Sequence, residues 1–341
     1  MSALGGTSGV AVSRRLLWSV ALGAAVLSAV AAVALTAGVF GALVASAAGA
    51  VGAVAVVSYA VEGRRRAVDR VFAVGVCAAF AVALYPLVSV LSYVVSAGLA
   101  RLDGTFWSHS MRNVGPGDVG GGAYHAVLGT LEQVGLATVV AVPLGLLVAI
   151  YLVEFGRGRL AVAVTFFVDV MTGVPSIVAG LFVFTAGILL LGFQYSGVFG
   201  SVALAVLMVP VVVRTCEEML RLVPGTLREA AYALGVNRWR TVLRVVVPTA
   251  LPGVVTGVML AVARVTGETA PLLLTTFYSA SINGNPFGGA QGSLPVFVWT
   301  EWQKGLPAAT DRAAAGALAL IALVMVLNLL ARLVTWRVGR R

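Results

Sequence analysis

The sequence predicts an all-α integral membrane protein of about eight spans, and three observations carry that expectation. Of the 341 residues, 60% are hydrophobic and 11% charged, with a mean hydropathy of +1.01, which is more apolar surface than a water-soluble core can hide. The apolar residues fall in runs long enough to cross the hydrocarbon core as helices, which takes ~20 residues each. The arginines collect in short clusters beside those runs, so the net charge of +10 orients membrane helices and does not point to nucleic acid.

The run between Arg15 and Glu62 is twice the length of one span and must hold two, about residues 16–36 and 40–60, joined by a turn near Gly38 and Gly41. A signal peptide would also place Arg14 and Arg15 before an apolar stretch, but its core is only ~7 to 15 residues long. A third span, about 71–97, contains Pro86 and should kink there. Residues 101–122 read as a glycine-rich outer loop whose Phe106 and Trp107 suit the membrane interface. The fourth span, about 126–153, carries Glu132, Gln133 and Pro143 and ends at Glu154. Glu132 and Gln133 lie where lining an entrance and packing between helices are both open. The fifth, about 160–193, is long enough to be broken near Gly173, Pro175 and Gly180. The sixth starts near Gly200 and continues as helix past Arg214, Glu217, Glu218 and Arg221. The seventh runs over 248–278. A second outer loop, 279–310, holds Trp299, Trp302 and Lys304, and the eighth span covers 313–336.

Of the 23 Lys and Arg, 18 fall on one side of such an eight-span layout, at both termini, 64–70, 157–159 and 214–244. Only Arg101, Arg112, Lys304 and Arg312 fall opposite, with Arg264 inside a span. The positive-inside rule makes the first side, and both termini, cytoplasmic. Cys77 and Cys216 lie far apart in apolar surroundings, and His109 and His125 have no metal-ligand spacing, so neither a disulfide framework nor a metal site is implied. Lys304, the only lysine, is followed by Gly305 where a P-loop needs Ser or Thr. No catalytic residue and no cofactor are expected; if ATP drives this chain, another subunit binds it.

The polar stretch 224–248 is the handle on this membrane body. Thr226 followed by Glu229 reads as a capping box, Gly235 as a left-handed helix stop, and Asn237 as the cap of a second helix reaching Val247, before Pro248 opens the next span. Glu229, Ala230 and Ala231, three spacers, Gly235, nine spacers, then Val245, Val247 and Pro248 resemble the EAA loop of ABC importer permeases. That resemblance implies that the first helix docks into a groove on an ATPase subunit; capping shapes the helix and docking uses it. Four stretches, 129–155, 175–184, 209–235 and 263–274, carry the resemblance further, to the PstA-type permease subunits of phosphate ABC importers. It implies a type I importer fold with a six-helix core over residues 62–341, to which residues 1–61 add a transmembrane hairpin. It also implies a second, PstC-type permease subunit, two ATPase subunits and an extracytoplasmic phosphate-binding protein as partners, in the cell membrane.

Four charged residues could meet an anion in transit. Arg264 and Glu268 stand four apart in the seventh span, roughly midway along it. An ionised group there costs about 2.5 to 3.5 kcal/mol and must face the bundle or a water path. A guanidinium grips a tetrahedral oxyanion through two parallel bonds, so Arg264 is the first candidate for a phosphate contact. An internal ion pair with Glu268 that only fixes packing is the competing reading. The resemblance marks Arg214 as a second candidate on the exit path, against a plain snorkelling anchor. Asp169 is expected to be buried near the break of the fifth span, where a pairing with an arginine of this or another subunit is open. A self-sufficient secondary transporter using Arg264 and Glu268 would instead predict inverted repeats and no docking loop.

Overall fold

A computed structural model describes residues 13–34 and 38–338, and among these every regular element is helical. The chain divides into two compact units, one ending at Tyr93 and one beginning at Val94.

In the first unit, α1 (Arg14–Ala34) and α2 (Gly38–Glu62) pack side by side as the expected hairpin, and the turn between them lies in part outside the described residues. Helix α3 (Arg64–Arg101) starts in this unit and runs as one 38-residue helix through Pro86.

The second unit opens with α4 (Gly104–Ser108), a single turn inside the expected outer loop. Asp103 caps it by accepting from the Phe106 amide at 2.7 Å, and that bond, with Arg101 beside it, holds the Asp103 carboxyl below its usual range. Phe106 is not an interface residue: it is fully buried against Phe297, and Trp107 alone stays exposed. Helix α5 (Tyr124–Ile150) continues into a π-helical turn, Tyr151–Phe155. Next come α6 (Gly158–Gly173) and α7 (Ser176–Val183), the latter extended by a π-helical stretch Phe184–Leu190, with a 106° bend between them. The bend falls at Val174 and Pro175, where proline has neither the amide nor the room to continue a helix.

Helix α8 (Gly197–Arg221) packs along α5, and Ala137, Ala141, Leu204, Met208 and Val212 close the core between them. Then follow α9 (Gly225–Ala233) and α10 (Arg238–Thr241). The chain passes through a π turn, Val242–Val246, straight into α11 (Val247–Thr266). Pro248 therefore does not open a separate helix; the wider π turn accommodates its missing amide within one continuous helix.

The seventh span does not reach 278. It stops at Thr266, and a short α12 (Ala270–Thr275) follows, because Pro271 cannot extend the α11 ladder. The second outer loop contains α13 (Leu294–Gln303), and α14 (Pro307–Val338) begins six residues earlier than expected. By length and composition seven helices qualify as membrane spans among the described residues, eight if the bent α6–α7 pair counts as one. The two breaks meet in space: a Cβ on Gly180 of α7 would fall 2.5 Å from the Pro271 Cα, so only glycine lets α7 and α12 cross this closely.

Candidate functional site

The stretch 224–248 folds as helix, bend and helix, but not through the expected capping box. Helix α9 begins two residues earlier than Thr226 would set, at Gly225 behind Pro224, and no side chain caps it. Thr226 thus sits inside the first turn, where its hydroxyl cannot reach an N3 amide. The other two local expectations hold. Gly235 has φ +75°, with its amide on the Tyr232 carbonyl and the Val236 amide on the Ala231 carbonyl, a Schellman closure. Asn237 accepts from the Arg240 amide at 3.0 Å. Glu229, Ala230 and Gly235 are exposed, whereas Ala231 is buried against the body of the unit. Leu227, Tyr232, Leu234 and Trp239 are exposed around them, an apolar surface of the kind that partners cover.

Two contacts that the sequence did not disclose fasten this stretch to the membrane helices. Glu154, at the π-helical end of α5, accepts from Arg228 Nε at 2.9 Å and from a second guanidinium nitrogen at 2.7 Å. Arg228 also donates to the Val223 and Leu220 carbonyls. Beside this fork, Phe155 touches Trp239, with ring centroids 5.6 Å apart, and Arg238 lies 5.0 Å over its ring. Glu154 is only 4% exposed, and Arg228 is the cation that faces it. The signals in the sequence were weak: one acid at the end of an apolar run and one arginine inside a recognised loop, 74 residues apart.

Asp169 and Arg214 do pair, bringing α6 to α8. Asp169 is not buried, however; its side chain is 59% exposed, on the open side of α6. Arg214 also donates to Glu217 at 2.7 Å, and Glu217 accepts from Arg221 at 2.6 Å, so four charges form a chain across α6 and α8. Asp169, Glu217 and Arg221, with Thr165, line a cavity of about 460 Å³.

Arg264 and Glu268 do not form the ion pair of the competing reading. Arg264 lies two residues before the end of α11 rather than at mid-span, and Gly267 and Glu268 turn back onto the Arg264 and Val265 carbonyls. The break at Pro271 removes the continuous helix that would stack them four apart on one face. Arg264 is exposed and Glu268 half-buried, and among the described residues neither has a side-chain hydrogen bond or ion pair.

Gln133 settles as a packing residue, fully buried and donating to Gln291 at 2.9 Å, while Glu132 accepts from Gln291. Arg312, counted from the sequence only as an outer-side charge, is 0% exposed near the start of α14. Its Nε donates to Glu301 at 2.9 Å, and its other nitrogens donate to the carbonyls of Pro116, Asp118 and Gly120. Lys304 completes the cluster on Glu301.

Residues 141–341 match the family described as binding-protein-dependent transport system inner membrane component. The chain is 50% identical over 279 residues to phosphate transport system permease protein PstA 1 of Mycobacterium tuberculosis (strain CDC 1551 / Oshkosh), a match covering 82% of this chain and 92% of that relative. It is 48% identical over 277 residues to the PstA permease of Mycobacterium leprae (strain TN), covering 80% and 90%. Among solved structures, a chain of the inward-facing MetNI methionine ABC transporter superposes with a TM-score of 0.50 at 21% identity, over 63% of this chain and 94% of that one.

Proposed function

Because the chain belongs to the family of binding-protein-dependent transport system inner membrane components, we propose that it is the permease subunit of an ATP-driven phosphate importer. The observation that carries this reading is half identity to a phosphate permease across nine-tenths of that relative's length. The fold is the type I importer permease fold, in a multi-pass protein of the inner membrane.

In this reading the chain supplies half of the translocation path and a second, PstC-type permease subunit the other half. Phosphate is delivered by an extracytoplasmic binding protein, and two ATPase subunits drive alternating access. This chain performs no covalent chemistry. Residues 62–341 form the permease proper and residues 1–61 an added hairpin, with both termini in the cytoplasm. Helix α9 docks on the ATPase through Glu229, Ala230, Ala231 and Gly235, and its exposed leucines and Tyr232 support a protein-covered surface. Arg228 on Glu154 gives that docking helix a rigid grip on α5, so that its displacement tilts a membrane helix. An exposed guanidinium at the end of a span is costly against lipid, which supports Arg264 facing the second subunit or the water path. Phosphate meeting Arg264 and then the Arg214 chain finds a fork-shaped donor at each step. At Arg214, Asp169 and Glu217 compete with phosphate for the same nitrogens and favour its release.

The test is ATP-dependent phosphate uptake by vesicles carrying the assembled complex, with sulfate and molybdate as competitors. Uptake of phosphate, resisted by neither competitor, is expected, and a tagged chain should retain an ATPase subunit on purification. Transport of sulfate in preference to phosphate would overturn the substrate, and absence of any ATPase subunit would overturn the class. Gly235→Val and Glu229→Lys should leave the protein inserted and separate ATP hydrolysis from uptake; the first forces a branched residue to φ +75°, costing about 1 to 2 kcal/mol.

A further inference from the structure

The first unit has no part in the path just described, yet it holds a groove of distinctive composition. Between α1, α2 and α3 lies a cavity of about 540 Å³ lined by Trp18, Ala21, Val54, Arg66, Asp69 and Arg70, among others. A second, apolar pocket of about 240 Å³ shares Trp18, Ala21 and Val74 with it and continues along Ala47, Ala78 and Val82. Together they make one trough, charged at one end and greasy along the rest. A third pocket, of about 320 Å³, places Arg64 and Tyr59 beside Val68, Val71 and Phe72.

The charged end is built by the turn between two spans. Helix α2 ends at Glu62, Gly63 reverses the chain at φ +83°, and α3 begins with Arg64, Arg65 and Arg66, all exposed. Glu62 accepts a hydrogen bond from Arg70 at 2.7 Å, and its other oxygen lies 2.7 Å from Arg70 Nε as an ion pair, which fixes that guanidinium beside the cavity. Four arginines against Glu62 and Asp69 leave a local charge of about +2, and the N-terminal dipole of a long helix adds to it. A soluble anion would need only that end. An acyl chain would need only the other. Trp18, common to both pockets, is the residue type that sits at the headgroup level of a bilayer.

We propose that this trough binds one anionic phospholipid, its phosphodiester at Arg66 and Arg70 and an acyl chain along Trp18, Ala21 and Val74. Basic pockets between membrane helices recognise such headgroups by the same charge-assisted bonds that hold free phosphate. The apolar continuation is what selects the lipid over the free ion. The hairpin of α1 and α2 then serves to wall in a lipid against α3.

The assembled transporter, stripped of lipid in a neutral detergent, is titrated with phosphatidylglycerol or phosphatidylcholine and read by native mass spectrometry. In parallel, chain-brominated versions of both lipids are used to quench Trp18, with Trp18→Phe as the background. Phosphatidylglycerol should be retained about tenfold better than phosphatidylcholine and should quench Trp18. Arg66→Gln should cost phosphatidylglycerol about fivefold and leave phosphatidylcholine unchanged, and Val74→Trp, which fills the trough, should weaken both. Equal retention of the two lipids, or indifference to both substitutions, would overturn the proposal. Displacement of phosphatidylglycerol by millimolar inorganic phosphate would assign the charged end to a soluble anion. A Trp18 shielded from both brominated lipids would assign the trough to a protein helix. None of these readouts involves transport, so they stand or fall apart from the importer reading.

Discussion

Arg312 and Arg214 lie in the same compact unit, each beside carboxylates, and are used in opposite ways. Arg312 is wholly buried and directs its donors at fixed acceptors, Glu301 and three carbonyls of residues 116–120. Arg214 is 31% exposed, and one of its two partners, Asp169, is 59% exposed on a neighbouring helix. A guanidinium of the first kind is a strut: desolvated, saturated and unable to offer a bond to a passing ion. One of the second kind can exchange a carboxylate for an oxyanion at little cost, because exposed pairs contribute only about 0 to 1 kcal/mol. Arg264, with no partner among the described residues, lies further along the same scale. In the proposed importer reading, availability and not charge separates a path residue from a strut.

The hardest blow to this comparison would come from Arg312→Leu. It leaves the buried Glu301 with Lys304 alone and takes the donor from three carbonyls, and should cost about 3 to 5 kcal/mol, seen as a lowered Tm and a depleted membrane fraction. A wild-type Tm would mean that burial does not distinguish the two arginines. Arg264→Gln comes next: protein level should stay normal while uptake falls about 30-fold, the value of a lost charge-assisted bond of about 2 kcal/mol. Arg264→Lys should fall less, and adding Glu268→Gln should rescue nothing, since no ion pair joins them. Recovery of uptake in that double variant would return Arg264 to a packing role.

Glu154→Gln and Arg228→Gln sharpen the contrast from the docking side. Each should lower phosphate moved per ATP hydrolysed by about tenfold, and the double variant should be no worse than either single one, as expected of one coupled unit. Additive losses would show that the two residues act separately. The smallest effect belongs to Asp169→Asn, which should shift stability by less than about 1 kcal/mol in thermal unfolding because the pair is open to solvent. A large loss there would make the Arg214 chain a strut after all.

The sequence by itself determined what is local. Apolar runs set the spans, Gly173 and Pro175 set the break between α6 and α7, Gly235 and Asn237 set the bend of the loop 224–248, and the spacing of 229–248 displayed a resemblance to the family. Each of these follows from covalent constraints or from transfer of a side chain out of water, and neither needs a distant partner. Proline also misled where its context was tertiary. Pro248 was absorbed by a π turn, and Pro271 ended a span that had been read as reaching 278, which took Arg264 and Glu268 apart. Only the folded chain decided which charges meet: Asp169 with Arg214 across 45 residues, Glu154 with Arg228 across 74, and Arg312 with the carbonyl of Pro116 across 196. An apolar helix surface carries little information on its neighbour, so the pairing of rare charges is fixed by how small residues such as Gly180 let helices approach. That approach, and not the spacing of the charges along the chain, turned one arginine into a strut and left another open.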